Sequence, residues 1–138
     1  MRAADGQGND AMTLQKILLV EDEPDIRAVA QLALEAIGGF TVRLCEGGEA
    51  ALAALPEFAP DLVLLDVMMP GMDGPATLAA LRALPQGGDV PVIFMTAKVQ
   101  QAEIEGYRRL GAIGVVAKPF DPMTLADTLR RLWTAGQC

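Results

Sequence analysis

The sequence predicts one α/β domain, a doubly wound five-stranded parallel sheet with helices on both faces. Three observations carry this. Short apolar runs alternate with stretches of helical periodicity, five of each, over residues 16–134. The runs Lys16–Val20 and Asp61–Asp66 are apolar throughout their interior, which is the pattern of strands covered on both sides. The connections are short and punctuated by Pro and Gly, so successive strands are joined as right-handed βαβ units.

Lys16–Val20 is the first buried strand, and Glu21, Asp22 and Pro24 follow it. Pro24 suits the first turn of a helix, where its missing N–H has no partner to lose. Ile26, Val29, Ala30, Ala33 and Ile37 recur at helical spacing until Gly38-Gly39 ends the run. Phe40–Leu44 is a shorter strand, placed towards an edge. Glu49–Leu55 is alanine-rich and helical as far as Pro56. Asp61–Asp66 is the clearest buried strand, and a loop with Pro70, Gly71, Asp73 and Gly74 leads to a helix over Pro75–Leu84. Val90–Met95 is the fourth strand. Val99–Leu110 is the fourth helix, with Glu103 and Tyr107 at helical spacing. Ile113–Ala117 is the fifth strand and Pro122–Trp133 the fifth helix, on which Leu125, Leu129, Leu132 and Trp133 share a face. The domain thus spans 16–134, between a polar tail over 1–15, expected to be disordered, and a short tail over 135–138.

Composition narrows the chemistry. Hydrophobic residues make up 51% of the chain and charged residues 21%, a globular balance. A net charge of −7 disfavours direct nucleic-acid contact and anionic membrane surfaces. The first ten residues lack the basic start and apolar core of a secretory signal, and no apolar stretch reaches membrane-spanning length. Cys45 and Cys138 read as free thiols, which with the missing signal implies a cytoplasmic protein. The chain has no histidine, so Ser-His-Asp catalysis, histidine-based zinc sites and a phosphohistidine of its own are excluded. Any metal is held mainly by oxygen.

In a doubly wound sheet the chemistry gathers at the carboxyl ends of the strands. Here strand one runs into Glu21-Asp22, strand three ends in Asp66, strand four runs into Thr96, and strand five runs into Lys118-Pro119. Three carboxylates, a hydroxyl and an ammonium would face one pocket. The carboxylates repel one another unless a proton or a cation intervenes. A hard divalent ion with oxygen ligands relieves that repulsion, and Mg²⁺ suits a site of this size. Asp22 and Asp66 would be ligands, Glu21 would act partly through water, and the backbone carbonyl of Met68 would be a further ligand. A carboxylate in such a site attacks phosphorus and becomes an acyl phosphate. Lys118 and the Thr96 hydroxyl would then face the equatorial oxygens.

The segments ILLVEDEPDIR, PDLVLLDVMMPGMDG, VPVIFMTA and GAIGVVAKPF, in this order and spacing, resemble the receiver domains of two-component response regulators, including the chemotaxis type. The resemblance runs from about Lys16 to Trp133. It implies the flavodoxin-like strand order 2-1-3-4-5. It implies that Asp66 is the phosphoacceptor, that Glu21, Asp22 and the Met68 carbonyl help hold Mg²⁺, that Thr96 is the switch hydroxyl, and that Lys118 bonds the phosphoryl group. The Lys118-Pro119 peptide is expected to be cis. The implied donor is a histidine kinase or a histidine phosphotransfer protein. The domain would catalyse only its own phosphorylation and dephosphorylation, as a monomer or a phosphorylation-dependent dimer. Its output surface would be the face of helix four, strand five and helix five. With no DNA-binding segment after Trp133, the expected output is a protein contact.

Val115, and the pair Met68 and Lys98, depart from or modulate that pattern. Many receivers carry Tyr or Phe three residues before the strand-five lysine, and this chain has Val115. A valine has no ring to swing, which leaves movement of the Thr96 loop and helix four as the route to output. The resemblance implies that Met68 and Lys98 stand where residues of the family flank the path of water to the phosphoryl group, and an apolar Met68 is expected to slow hydrolysis.

Taken singly, each residue has an ordinary structural role. Glu21-Asp22 before Pro24 is a favourable helix start, Asp66 suits a turn, Thr96 is a loop hydroxyl and Lys118 a surface lysine. Met68, Met69, Met72 and Met95 read as packing residues, Arg108-Arg109 and Arg130-Arg131 as solvated faces, and Trp133 as a core anchor. Three other functions compete. A phosphorylation-independent binding module is favoured by Val115. An aspartate-based phosphohydrolase would want an acid where Met68 stands. A flavin mononucleotide binder would want a Gly- and hydroxyl-rich loop where Glu21-Asp22-Glu23 stands.

Overall fold

The computed structural model describes residues 13–136. Its strands are β1 (Lys16–Val20), β2 (Thr41–Cys45), β3 (Leu62–Asp66), β4 (Val92–Thr96) and β5 (Gly114–Ala117). They alternate with α1 (Pro24–Leu32, continued as a wider π-helical turn over Ala33–Ile37), α2 (Gly48–Phe58), α3 (Gly74–Ala83), α4 (Gln101–Arg109) and α5 (Leu125–Gly136). All pairings are parallel and the order is β2-β1-β3-β4-β5, as the resemblance implies. The order reverses between β1 and β3, and that crevice sets the place of the site.

The central strands β1, β3 and β4 lack a polar face because both faces are covered, whereas the edge strand β2 leaves Thr41 and Arg43 exposed. Ile17 and Leu19 of β1, Leu62 and Leu64 of β3, and Ile93 and Met95 of β4 pack with Ala30, Ala33 and Leu34 of α1 and Leu125, Leu129 and Trp133 of α5. The alternate residues Leu18, Val20, Val63, Leu65, Val92 and Phe94 pack on α2 and α3. Tyr107 of α4 closes that second layer, its ring 5.1 Å from that of Phe94. Each fully buried Leu, Ile or Phe contributes roughly 1.5–3 kcal/mol. Carbon fills both faces of the sheet, so polar chemistry is left to the rim.

Several boundaries differ from the sequence reading, each for a local reason. The ordered chain starts before Lys16: Leu14 is buried, and the Gln15 and Lys16 N–H groups both donate to the Asp61 carboxylate (3.0 and 2.9 Å). Residues 1–12 and Cys138 lie outside the described residues. Helix α2 continues through Pro56, which stands in its last turns where the missing N–H removes only one bond, and Ala59 ends it in the left-handed conformation (φ 51°). Asp121 caps a turn over 122–124, so α5 starts at Leu125 and reaches Gly136, beyond the expected boundary at 134. On α1 the buried stripe is Ala30, Ala33 and Leu34, whereas Val29 and Ile37 are exposed. Small residues bring this helix close to the sheet. Arg130 is not a solvated side chain: it donates to the Gly38 carbonyl and stacks on Phe40, 4.4 Å from the ring centre.

Candidate functional site

The loops after β1, β3, β4 and β5 meet at the carboxyl edge of the sheet. Val20 pairs with Leu65 and with Cys45, Asp66 with Met95, and Thr96 with Ala117. This register brings Glu21, Asp66, Thr96 and Lys118, far apart in sequence, onto one rim.

Glu21 is fully buried and Asp66 almost so, at 1% exposure. The Lys118 ammonium lies between them, donating to Glu21 Oε1 at 3.0 Å and to Asp66 Oδ1 at 3.1 Å. The other Glu21 oxygen accepts the Glu23 N–H at 3.1 Å. Carboxylate oxygens of Glu21, Asp22 and Asp66 all lie within 4.8 Å of one another. All four of these residues stand at the strand ends of the sequence, but only the structure shows that Lys118 bonds Glu21 as well as Asp66.

The charges do not balance. Burial is the largest influence on Asp66 and pushes its carboxyl up; the Lys118 hydrogen bond pulls it down and the Glu21 charge pushes it up again, leaving it at about 6 against an ordinary 3.8. Burial alone would lower the Lys118 ammonium, but its bonds to Glu21 and Asp66 reverse that and hold it above its ordinary value. One ammonium therefore faces two buried carboxylates, with Asp22 nearby. A hard cation answers that shortage, and the all-oxygen donor set fits Mg²⁺.

Thr96 is buried, and its hydroxyl accepts the Lys98 N–H at 3.1 Å. Its carbonyl accepts the Lys118 N–H at 2.9 Å, tying β4 to β5 beside the site. The Lys118-Pro119 peptide is cis. The loop after Asp66 turns back sharply, with the Gly74 N–H donating to the Val67 carbonyl at 2.8 Å. A Cβ at Gly74 would meet the Asp66 carbonyl oxygen at 2.7 Å and Val67 Cα at 2.8 Å, so this glycine lets α3 start against the end of β3. Asp73 caps that helix by accepting the Ala76 N–H at 2.9 Å.

Met69 and Met95 pack as expected, but Met68, in the loop after Asp66, is 73% exposed and is not a packing residue. Two features escaped the sequence reading. Arg27 donates to the Glu21 carbonyl at 2.8 Å and so fixes the acidic loop on α1. A cavity of about 470 Å³, lined by Asp25, Ile26, Val29, Lys118, Pro119 and Phe120, opens beside the lysine. In the sequence Ile26 and Val29 read as part of the apolar face of α1, so nothing there pointed to a cavity.

A doubly wound domain with an acidic cluster at its switch point and one lysine reaching into it defines a class, and the comparisons identify the family. Residues 17–130 match the response regulator receiver domain, and the chain belongs to that family, whose members are signalling switches rather than classical enzymes. It is 38% identical over 121 residues to a probable transcriptional regulator, ycf27, of Guillardia theta, covering 88% of this chain and 46% of that protein. It is 37% identical over 116 residues to the DNA-binding response regulator MtrA of Mycolicibacterium smegmatis, covering 84% and 49%. The chain spans about half the length of these curated relatives. Among solved structures, chemotaxis protein CheY4 of Vibrio cholerae aligns with a TM-score of 0.79 and 31% identity over 87% of this chain and 99% of that one. Among the described residues, no helix is long and apolar enough to cross a membrane.

Proposed function

We propose that the domain is a phosphorylation-dependent switch that takes a phosphoryl group from a phosphohistidine donor onto Asp66. The observation that carries this is the Lys118 ammonium held between Glu21 and Asp66 in a rim that is short of positive charge. Lys118 engages one Asp66 oxygen, and the other attacks phosphorus. The new O–P bond forms as the N–P bond of the donor breaks, and the imidazole leaves with the electron pair and takes a proton. Lys118 moves from the carboxylate to the equatorial oxygens, and Thr96 donates its hydroxyl proton to one of them. Glu21, Asp22, Asp66 and the Met68 carbonyl would hold Mg²⁺, which supplies charge neutralisation of the transferring group.

The donor is a histidine kinase or histidine phosphotransfer protein, and the cavity between α1 and the Pro119-Phe120 loop is a docking place continuous with Lys118. The output is a protein contact through α4, β5 and α5. The acidic charge of the chain disfavours nucleic acid as the domain's own partner, while DNA binding is a property stated for MtrA, about twice as long. The domain acts in the cytoplasm, as a monomer or a phosphorylation-dependent dimer.

One residue favours a second reading. Val115 lies on β5 without a ring, as a phosphorylation-independent binding module allows. Intact mass after incubation with Mg²⁺ and acetyl phosphate separates the two. A single phosphoryl adduct, absent in Asp66→Asn and with EDTA, supports the switch. No adduct on folded protein, together with no beryllofluoride binding, favours the independent module.

A further inference from the structure

Among the described residues, Glu103 Oε1 is a buried side-chain oxygen with no hydrogen-bond partner. A buried carboxylate oxygen without a donor costs free energy, so its persistence calls for a reason. Glu103 stands in the first turn of α4, whose N-cap makes no side-chain bond. It lines a cavity of about 370 Å³ together with Ala97, Lys98, Val99 and Gln100, the loop that joins Thr96 to α4. The Lys98 N–H in that same cavity wall is at present satisfied by the Thr96 hydroxyl.

These facts interlock. Turning the Thr96 hydroxyl towards a phosphoryl group on Asp66 withdraws the acceptor of the Lys98 N–H. The Lys98 bond is partly buried, so an N–H that loses its acceptor there opposes that turn. Glu103 offers an unused acceptor in the same cavity. We propose that Glu103 is the second-state acceptor of the β4–α4 loop: when Thr96 turns to the phosphoryl group, the Lys98 N–H passes from the Thr96 hydroxyl to Glu103 Oε1. The exchange draws the loop onto the first turn of α4 and so moves the output face. It needs no aromatic ring on β5, where this chain has Val115. The inference rests on the phosphorylation of Asp66 and adds a positioning residue to it.

The test uses beryllofluoride with Mg²⁺ on wild type, Glu103→Ala, Glu103→Gln and Thr96→Ala, read by affinity and by hydrogen exchange of the Lys98 amide. A hydrogen bond to a charged group made only in the second state is expected to change beryllofluoride affinity by about tenfold or more. Glu103→Ala is therefore expected to bind about tenfold more weakly, with Mg²⁺ affinity and unfolding midpoint unchanged. Its Lys98 amide is protected without beryllofluoride and loses protection with it. Glu103→Gln, which keeps a carbonyl acceptor, restores most of the affinity, and Glu103→Ala adds no further loss to Thr96→Ala. Unchanged beryllofluoride affinity in Glu103→Ala overturns the inference while leaving the switch intact. So does a fall in unfolding midpoint without beryllofluoride, which makes Glu103 an ordinary cap of α4 in both states. Absence of binding to wild type overturns the inference and the phosphorylation reading together.

Discussion

Lys118→Met removes the one ammonium bonded to two buried carboxylates while keeping most of the side chain's volume. The bonds to Glu21 and Asp66 are 3.0 and 3.1 Å long, and the two acceptors are almost inaccessible to solvent. Removing one member of a buried ion pair typically costs about 3–5 kcal/mol, because the remaining charge is left uncompensated. Here the lysine is 18% exposed at an open rim and a carboxylate is able to take up a proton, so screening reduces the loss to about 2–3 kcal/mol in EDTA at neutral pH. In an Asp66→Asn background the amide oxygen still accepts from the ammonium, but only the Glu21 charge is left uncompensated and no second charge repels it, so the loss falls to about 1–2 kcal/mol. The double-mutant cycle should give a coupling of about 1 kcal/mol, read by urea unfolding with the fluorescence of the single, buried Trp133. Millimolar Mg²⁺ should shrink the single-mutant loss by supplying the missing charge. Losses equal in the two backgrounds to within about 0.3 kcal/mol would falsify the claim that Lys118 and Asp66 are electrostatically coupled.

Other perturbations read other parts of the site. Gly74→Ala places a Cβ 2.7 Å from the Asp66 carbonyl oxygen, against backbone that cannot swing aside; a loss of about 2–3 kcal/mol in urea and slower acetyl phosphate labelling are expected, and wild-type behaviour in both assays would contradict the contact. Met68→Asn replaces the exposed thioether two residues after Asp66 with a group that orders water, so loss of the phosphoryl adduct, followed by mass, should be several-fold faster; an unchanged rate removes Met68 from that role. Burial pushes the Cys45 thiol up, against a smaller opposing effect of Arg43. In a Cys138→Ser background, native Cys45 should therefore resist iodoacetamide at pH 8 until urea is added. The unfolded thiol ionises first, so the unfolded state binds fewer protons and stability should fall as pH rises above the ordinary 9. Rapid native alkylation would contradict the burial.

The sheet was legible because its strands carry two-sided apolar runs, and the site because all of its polar residues follow those runs directly. Lys16–Val20 leads straight into Glu21-Asp22, and Leu62–Asp66 ends in its own carboxylate. Helix ends were less legible, because they are decided by partners distant in sequence. Asp61 leaves the expected strand because its carboxylate accepts from residues 15 and 16 and its carbonyl accepts the Trp133 indole N–H at 3.2 Å. Pro56 reads as a stop, yet so late in α2 it removes little. Arg130 reads as solvated by its type, but the Phe40 ring and the Gly38 carbonyl lie within its reach only after α5 has docked. The Lys118–Glu21 bond and the Glu103 orphan had no sequence signal, since both depend on side-chain direction rather than on spacing.

The shortage of charge at the rim connects stability with function. A buried Asp66 that holds its proton to about pH 6 binds protons that the unfolded chain has already released, so metal-free stability falls as pH rises from about 4 to 6. At neutral pH the ionised carboxylate is thus held in place against its own preference by β3, Lys118 and the packed faces of the sheet. A fully balanced site, with a second lysine near Asp22, would be more stable and would have less need of a cation. For the phosphorylation of Asp66 that we propose, the same added charge would hold the Asp66 oxygens in ion pairs and blunt their attack on phosphorus. The fold sustains the imbalance because Leu62–Leu65, buried on both faces, fix Asp66 where solvent cannot relieve it. The energy stored in that placement is released by whatever brings positive charge to the rim, which makes the site responsive to ligands as well as costly to the fold.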